Sequence, residues 1–198
     1  RGQTEYHVTI SSRDMTKTAL VAAITSVSAF LSIPLGPVPI TMQSCVVLVA
    51  GPVLGARLGA LSQIIYLAMG FVGLPVFAGG RAGMGVVMTP TFGYLLGFVA
   101  AAYLTGLMTD RISHLKVPFL IFTMLVGLAV IMLSGVSYLY ANFNYVVGQE
   151  MSWGMAWSIG VLPFLPGEIL KLTAATAIVL ALQKHGFSGN SNRPVIGR

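Results

Sequence analysis

Charge is what this 198-residue chain has least of. Lys and Arg number 11 and Asp and Glu 5, so that 8% of residues are charged, where a soluble domain carries about 25%. Apolar residues reach 56%. That balance excludes a disordered chain, a coiled coil and an ordinary water-soluble enzyme. A folded protein of this size cannot hide so much apolar surface inside one core. A bilayer is the solvent that suits it, and an all-α integral membrane protein is expected. The alternating segments of about ten residues that would build a membrane β-barrel do not occur.

Other shortages narrow the function. Cys45 is the one cysteine, which leaves no intramolecular disulfide and no Cys/His metal site, and it reads as a small apolar residue within a helix. His7, His114 and His185 lie near charged segments rather than in the middle of apolar runs. The net charge of +6 comes from singly scattered basic residues. No aromatic-and-basic cluster accompanies them, so nucleic acid is not expected as a partner. The chain has no P-loop, no HExxH, no Gly-x-Ser-x-Gly and no paired-aspartate motif. It therefore has no means of hydrolysing ATP, and neither an enzyme activity nor a cofactor is expected. The first apolar run is too long for a signal peptide and lacks a cleavage site.

The positions of the few charges organise the chain. All 39 residues between Lys17 and Arg57 are uncharged, enough for two spans of about 20 residues. Pro34, Pro37 and Pro39 break that run, because three prolines cannot sit inside one regular helix. Six spans are predicted, at about 16–32, 41–54, 58–74, 90–108, 117–140 and 166–183, with an apolar approach segment before the last. The second is short, so the Pro-rich turn is expected to dip into the protein. The membrane domain covers 15–184, flanked by polar, non-periodic tails at 1–14 and 185–198. With six spans, Arg13, Lys17, Arg57, Arg111, Lys116, Lys184 and the tail arginines share one side. The positive-inside rule makes that side, and both termini, cytoplasmic.

A few residues remain that topology does not explain. Arg81 sits in an external, glycine-rich loop with Gly79, Gly80, Gly83 and Gly85. It is either incidental to a flexible tether or a guanidinium presented, with backbone N–H groups, to an anion. Glu168 and Lys171 lie three residues apart on one helical face within the last span, where ionisable residues point to function. The plainer alternative is an anion in the first turn of a helix, neutralised by Lys171. Gln43, at the external start of span 2, suits either an interhelical hydrogen bond or a ligand. Phe77, Tyr94 and Phe164 are candidates to wall a small ligand, although rings at this depth also serve as interface anchors. In span 1, Ala19, Ala22, Ala23, Ser26 and Ala29 form a small-residue face, for internal packing or for docking another membrane protein.

Several phrases, taken together and in order, carry a resemblance. They are Pro34-Leu-Gly-Pro-Val-Pro-Ile-Thr-Met-Gln43, Gly55-Ala-Arg-Leu-Gly-Ala60, Tyr66-Leu-Ala-Met-Gly-Phe-Val-Gly-Leu-Pro-Val-Phe-Ala-Gly-Gly80, Pro90-Thr-Phe-Gly-Tyr-Leu-Leu-Gly-Phe98 and Gly160-Val-Leu-Pro-Phe-Leu-Pro-Gly-Glu-Ile-Leu-Lys171. From Met15 to Leu182 the chain resembles the BioY family, the biotin-specific substrate-binding (S) components of energy-coupling factor (ECF) transporters. The resemblance implies six helices in the S-component fold, in a bacterial cytoplasmic membrane, with biotin held near the external face. It also implies a transmembrane coupling (T) protein and two cytoplasmic ATPases as partners, the alanines Ala19 and Ala23 matching the spacing that faces the coupling protein. Glu168 and Lys171 match the acid and lysine of the Pro-Gly-acid-x-x-Lys motif. Aspartate is common in relatives at that acidic position, so Glu168 reaches one methylene further.

Biotin offers two ureido N–H donors, a ureido carbonyl, an apolar thioether ring and a carboxylate tail. Glu168 suits the N–H groups, Lys171 or Gln43 the ureido oxygen, and Arg81 or the glycine-loop N–H groups the carboxylate; the opposite orientation is also open. The residues themselves are equally compatible with a self-sufficient secondary transporter of biotin or another small anionic vitamin. The expected cycle is capture outside, closure of the turn between spans 1 and 2 and of the Gly79–Gly85 loop, and reorientation driven by the ATPases.

Overall fold

The computed structural model describes residues 11–110, 112 and 115–184. His7, His114, His185, Arg111, most of the N-terminal tail and the whole C-terminal tail lie outside the described residues. The described residues are helical almost throughout, and the six expected spans are α1 (Ser12–Phe30), α2 (Gln43–Leu54), α3 (Ala56–Phe71), α4 (Phe92–Thr109), α5 (Val117–Asn142) and α7 (Leu165–Lys184). The apolar approach segment is a separate short helix, α6 (Trp153–Gly160). Among the described residues, three continuous stretches are long and apolar enough to cross a membrane: Phe92–Thr109, Val117–Val147 and Trp153–Lys184.

Local chemistry sets the boundaries. Ser11 starts α1 by accepting from the Arg13 N–H at 3.3 Å, and Asp14 adds an anion to its first turn. The α2–α3 reversal takes one residue, Gly55, whose φ of 83° lies in the region that favours glycine. Asp110 caps the new helix, its Oδ2 accepting from Ala56 N–H at 3.2 Å. So tight a turn starts α3 at Ala56 rather than near 58, which places Arg57 in the first helical turn instead of in a loop. At the other end of the bundle α5 runs beyond the expected 140. It widens into a π-turn at Phe143–Val147 and stops at Gly148, whose φ is 73°.

The Pro-rich segment is a small hairpin. Strands β1 (Ser32–Ile33) and β2 (Ile40–Thr41) pair antiparallel, Ser32 opposite Thr41 and Ile33 opposite Ile40. Pro34, Leu35 and Gly36 are exposed, whereas Val38 is buried. The hairpin therefore dips in on one arm only. It explains why α2 is short: 12 residues rise about 18 Å, against about 30 Å of hydrocarbon. Non-helical backbone at membrane depth is tolerated only where protein or a cavity covers it.

Helix α2 is the hub, touching α1, α3, α4, α5 and α7, while α4 against α5 is the most extensive pairing. Close crossing depends on small residues. A Cβ on Gly51 would lie 2.1 Å from Thr105 Oγ1 of α4, so nothing larger than glycine fits. Helix α1 is peripheral, and its small-residue face divides. Ala22, Ser26 and Ala29 are buried, whereas Ala19 and Ala23 face outward with Leu20, Ile24 and Val27.

Candidate functional site

A cavity of about 650 Å³, counting its open mouth, lies at the end of the bundle where the hairpin, the glycine-rich loop and the α6–α7 junction meet. Its walls are mostly apolar: Val38, Phe77, Leu95, Phe98, Ile131 and Phe164. The polar groups on it are few, chiefly Gln43, Ser44, Tyr94, Arg81 and Glu168. A mainly apolar cleft with a handful of placed polar atoms is the ordinary form of a small-molecule site.

The rings are held from behind. Phe77 is buried edge-on against Tyr66, with centroids 5.6 Å apart, and against Phe71 at 5.9 Å. It rests on Gly70, where a Cβ would come within 2.1 Å of Cζ. Tyr94 donates its O–H to Gly160 O at 2.6 Å and lies on Gly135, where a Cβ would sit 2.2 Å from the ring. Phe164 leans on Tyr94 at 6.4 Å. Sequence reasoning missed Tyr66, Gly70, Gly135 and Gly160. For Gly135 the available signal was a glycine inside an apolar helix, which costs about 0.5–1 kcal/mol against alanine and so needs a reason.

The glycine-rich loop is well tied. Gly79, Gly80 and Gly83 have φ of 74°, 71° and 81°, while Gly85 lies within a 3-10 turn, Met84–Met88. Phe77 N–H donates to Arg81 O at 3.1 Å and Gly83 N–H to Gly70 O at 2.7 Å. From α5, Tyr138 O–H donates to Val87 O, and Asn142 Nδ2 to Met88 O at 2.9 Å. These bonds fasten the loop to α3 and α5 as a wall of the cavity. Arg81 lines the cavity and stands exposed, and its guanidinium has no partner among the described residues.

Four residues form the polar end. Glu168 and Lys171 project from the same face of α7, and Lys171 Nζ lies 2.6 Å from Glu168 Oε1. Ser44 Oγ donates to the same oxygen at 3.0 Å and accepts from Lys171 at 3.2 Å. The third Lys171 donor goes to Thr41 O at 2.5 Å. Glu168 is 2% exposed, yet its Oε2 has no hydrogen-bond partner among the described residues. Beside it, Gln43 donates from Nε2 to Tyr66 Oη at 2.6 Å. Of the residues singled out from sequence, Gln43, Phe77, Arg81, Tyr94, Phe164 and Glu168 share this cavity. Lys171 stands one layer behind, and Ala19 and Ala23 are elsewhere, on the outer face of α1.

The chain has clear relatives. Residues 3–186 match the model of the BioY family. A protein of Lysinibacillus sphaericus described as a probable biotin transporter BioY is 38% identical over 166 residues, covering 84% of each chain. A probable biotin transporter BioY of Pyrococcus horikoshii is 38% identical over 179 residues, covering 89% of this chain and 99% of that one. Among solved structures, the fold matches a crystal structure of the S-component for biotin from an ECF-type ABC transporter. The TM-score is 0.78 at 27% identity, covering 87% of this chain and 91% of that one.

Proposed function

The chain belongs to the BioY family, and from that premise we propose that it binds biotin in the cavity and carries it across the membrane as the S component of an ECF transporter. The observation that carries the reading is the free Oε2 of a buried carboxylate at one end of an apolar cleft, with an unpaired guanidinium at its mouth. A ureido ring supplies N–H donors for Glu168. A carboxylate tail reaching the mouth meets Arg81, and the rings of Phe77, Tyr94 and Phe164 cover the apolar middle. Gln43 is placed to donate its second amide N–H to the ureido oxygen. No metal or organic cofactor enters this reading.

Partners and orientation belong to the same proposal. The sequence carries no ATP-hydrolysing motif, and in the S-component reading a coupling protein and two ATPases supply the work. Among the described residues, Arg13, Lys17, Arg57, Lys116 and Lys184 gather at the end away from the cavity. That excess favours cytoplasmic termini, a cytoplasmic-membrane location and a cavity that opens outward.

Calorimetry with biotin and its methyl ester separates the two ends of the ligand. In Arg81→Ala, biotin affinity is expected to fall about tenfold, the equivalent of 1.4 kcal/mol, while the ester, which has no carboxylate, is unaffected. An equal loss for both ligands would remove Arg81 as the carboxylate partner.

A further inference from the structure

Tyr66 supports two walls of the cavity from behind. It is fully buried on α3 and is not among the residues that line the cavity. Its hydroxyl accepts from Gln43 Nε2 at 2.6 Å. Its ring meets Phe77 edge-on, with centroids 5.6 Å apart and an interplanar angle of 87°. Gly70, four residues on and so on the same face of α3, makes room for the Phe77 ring. Gln43 and Phe77 both line the cavity, one with an amide and the other with an apolar ring.

A primary amide has one acceptor oxygen and two N–H donors. Tyr66 takes one of the donors. The other N–H and Oε1 form no hydrogen bond among the described residues. They lie on one plane, a donor close to an acceptor. Their complement is the edge of a cyclic urea or lactam, where an N–H stands next to a C=O. The amide plane turns about a terminal bond whose preference is broad, so an unheld glutamine would sweep a range of angles. The bond to Tyr66 removes that freedom, because its hydroxyl is carried on a ring fixed by packing.

We infer that Tyr66 is a positioning residue whose hydroxyl holds the Gln43 amide so that its donor and acceptor meet the N–H/C=O edge of the ligand head. The inference rests on the biotin reading and narrows it. Glu168 Oε2, an acceptor only, takes one ureido N–H, while Gln43 takes the ureido oxygen and the second N–H. All three polar groups of the head are then paired, as buried polar groups generally are. Because the same ring backs Phe77, removing the hydroxyl alone isolates this role.

Calorimetry with biotin and 2-thiobiotin on the wild type, Tyr66→Phe, Gln43→Leu and the double variant tests this. The thio analogue keeps both N–H groups but carries a weakly accepting sulfur in place of the ureido oxygen. In Tyr66→Phe, biotin affinity is expected to fall about tenfold, the scale of one hydrogen bond, and 2-thiobiotin affinity no more than about threefold. Once Gln43 is Leu, adding Tyr66→Phe should change either affinity by less than about twofold. Equal losses for the two ligands in Tyr66→Phe, an unchanged biotin affinity, or a further tenfold loss in the double variant would overturn the inference. A wild type that binds neither compound would overturn the biotin reading instead. The positioning is then decided without ligand, by the side-chain amide signals of Gln43 in glutamine-labelled protein, identified by their loss in Gln43→Leu. They are expected to shift in Tyr66→Phe, and unmoved signals would overturn the inference.

Discussion

Replacing Lys171 by Met is expected to destabilise the protein by about 3–5 kcal/mol, because it leaves Glu168 as an uncompensated charge in a buried site. The pair is 2.6 Å apart and almost fully enclosed, so solvent does little to screen it. Biotin affinity should fall by about 1–3 kcal/mol at the same time, since a carboxylate no longer held by its neighbours is a poorer acceptor. Glu168→Gln should weaken binding by a similar amount. The informative variant is the double one. Glu168→Gln/Lys171→Met removes both charges, so stability should largely return while affinity does not. Thermal midpoints in detergent and calorimetric affinities measured on all four proteins complete the cycle. A double variant that regains affinity along with stability would mean that the pair is only structural.

Complex assembly should be lost altogether when Ala19 or Ala23 is replaced by Trp, with biotin affinity in detergent unchanged. Both alanines lie on the outer face of α1, beside Leu20, Ile24 and Val27, while Ala22, Ser26 and Ala29 fill the inner face. An indole in lipid costs little, but at a small-residue helix contact it prevents close approach of the backbones. Co-purification with the coupling protein and ATPases, set beside biotin calorimetry of the same variant, gives the answer. Loss of both properties together would assign these alanines to internal packing. Uptake by vesicles that contain this chain alone would contradict dependence on partners.

Much of this molecule is legible in its sequence because lipid imposes strict rules. The six spans follow from where charges and prolines fall, and the S-component fold agrees with them. The scarcity of charge also isolates Arg81 and Glu168, which the fold brings to one cavity although 87 positions separate them. What stays hidden depends on three-dimensional detail. Gly55 reverses the chain by itself, which no hydropathy window resolves. The hairpin at 32–41 is too short to show a period-two pattern. Gly70 and Gly135 look like ordinary small residues until the rings of Phe77 and Tyr94 are seen to rest on them. The role of Lys171 was half visible: spacing pairs it with Glu168, but the bond to Thr41 crosses the fold and leaves no local trace.

This chain, by itself, is expected to hold biotin through the free carboxylate oxygen of Glu168. Calorimetric titration of biotin into the purified wild type without partner subunits tests it most directly. Saturable binding of one biotin per chain is predicted, and a titration without saturable heat would rule out biotin as the ligand of this cavity.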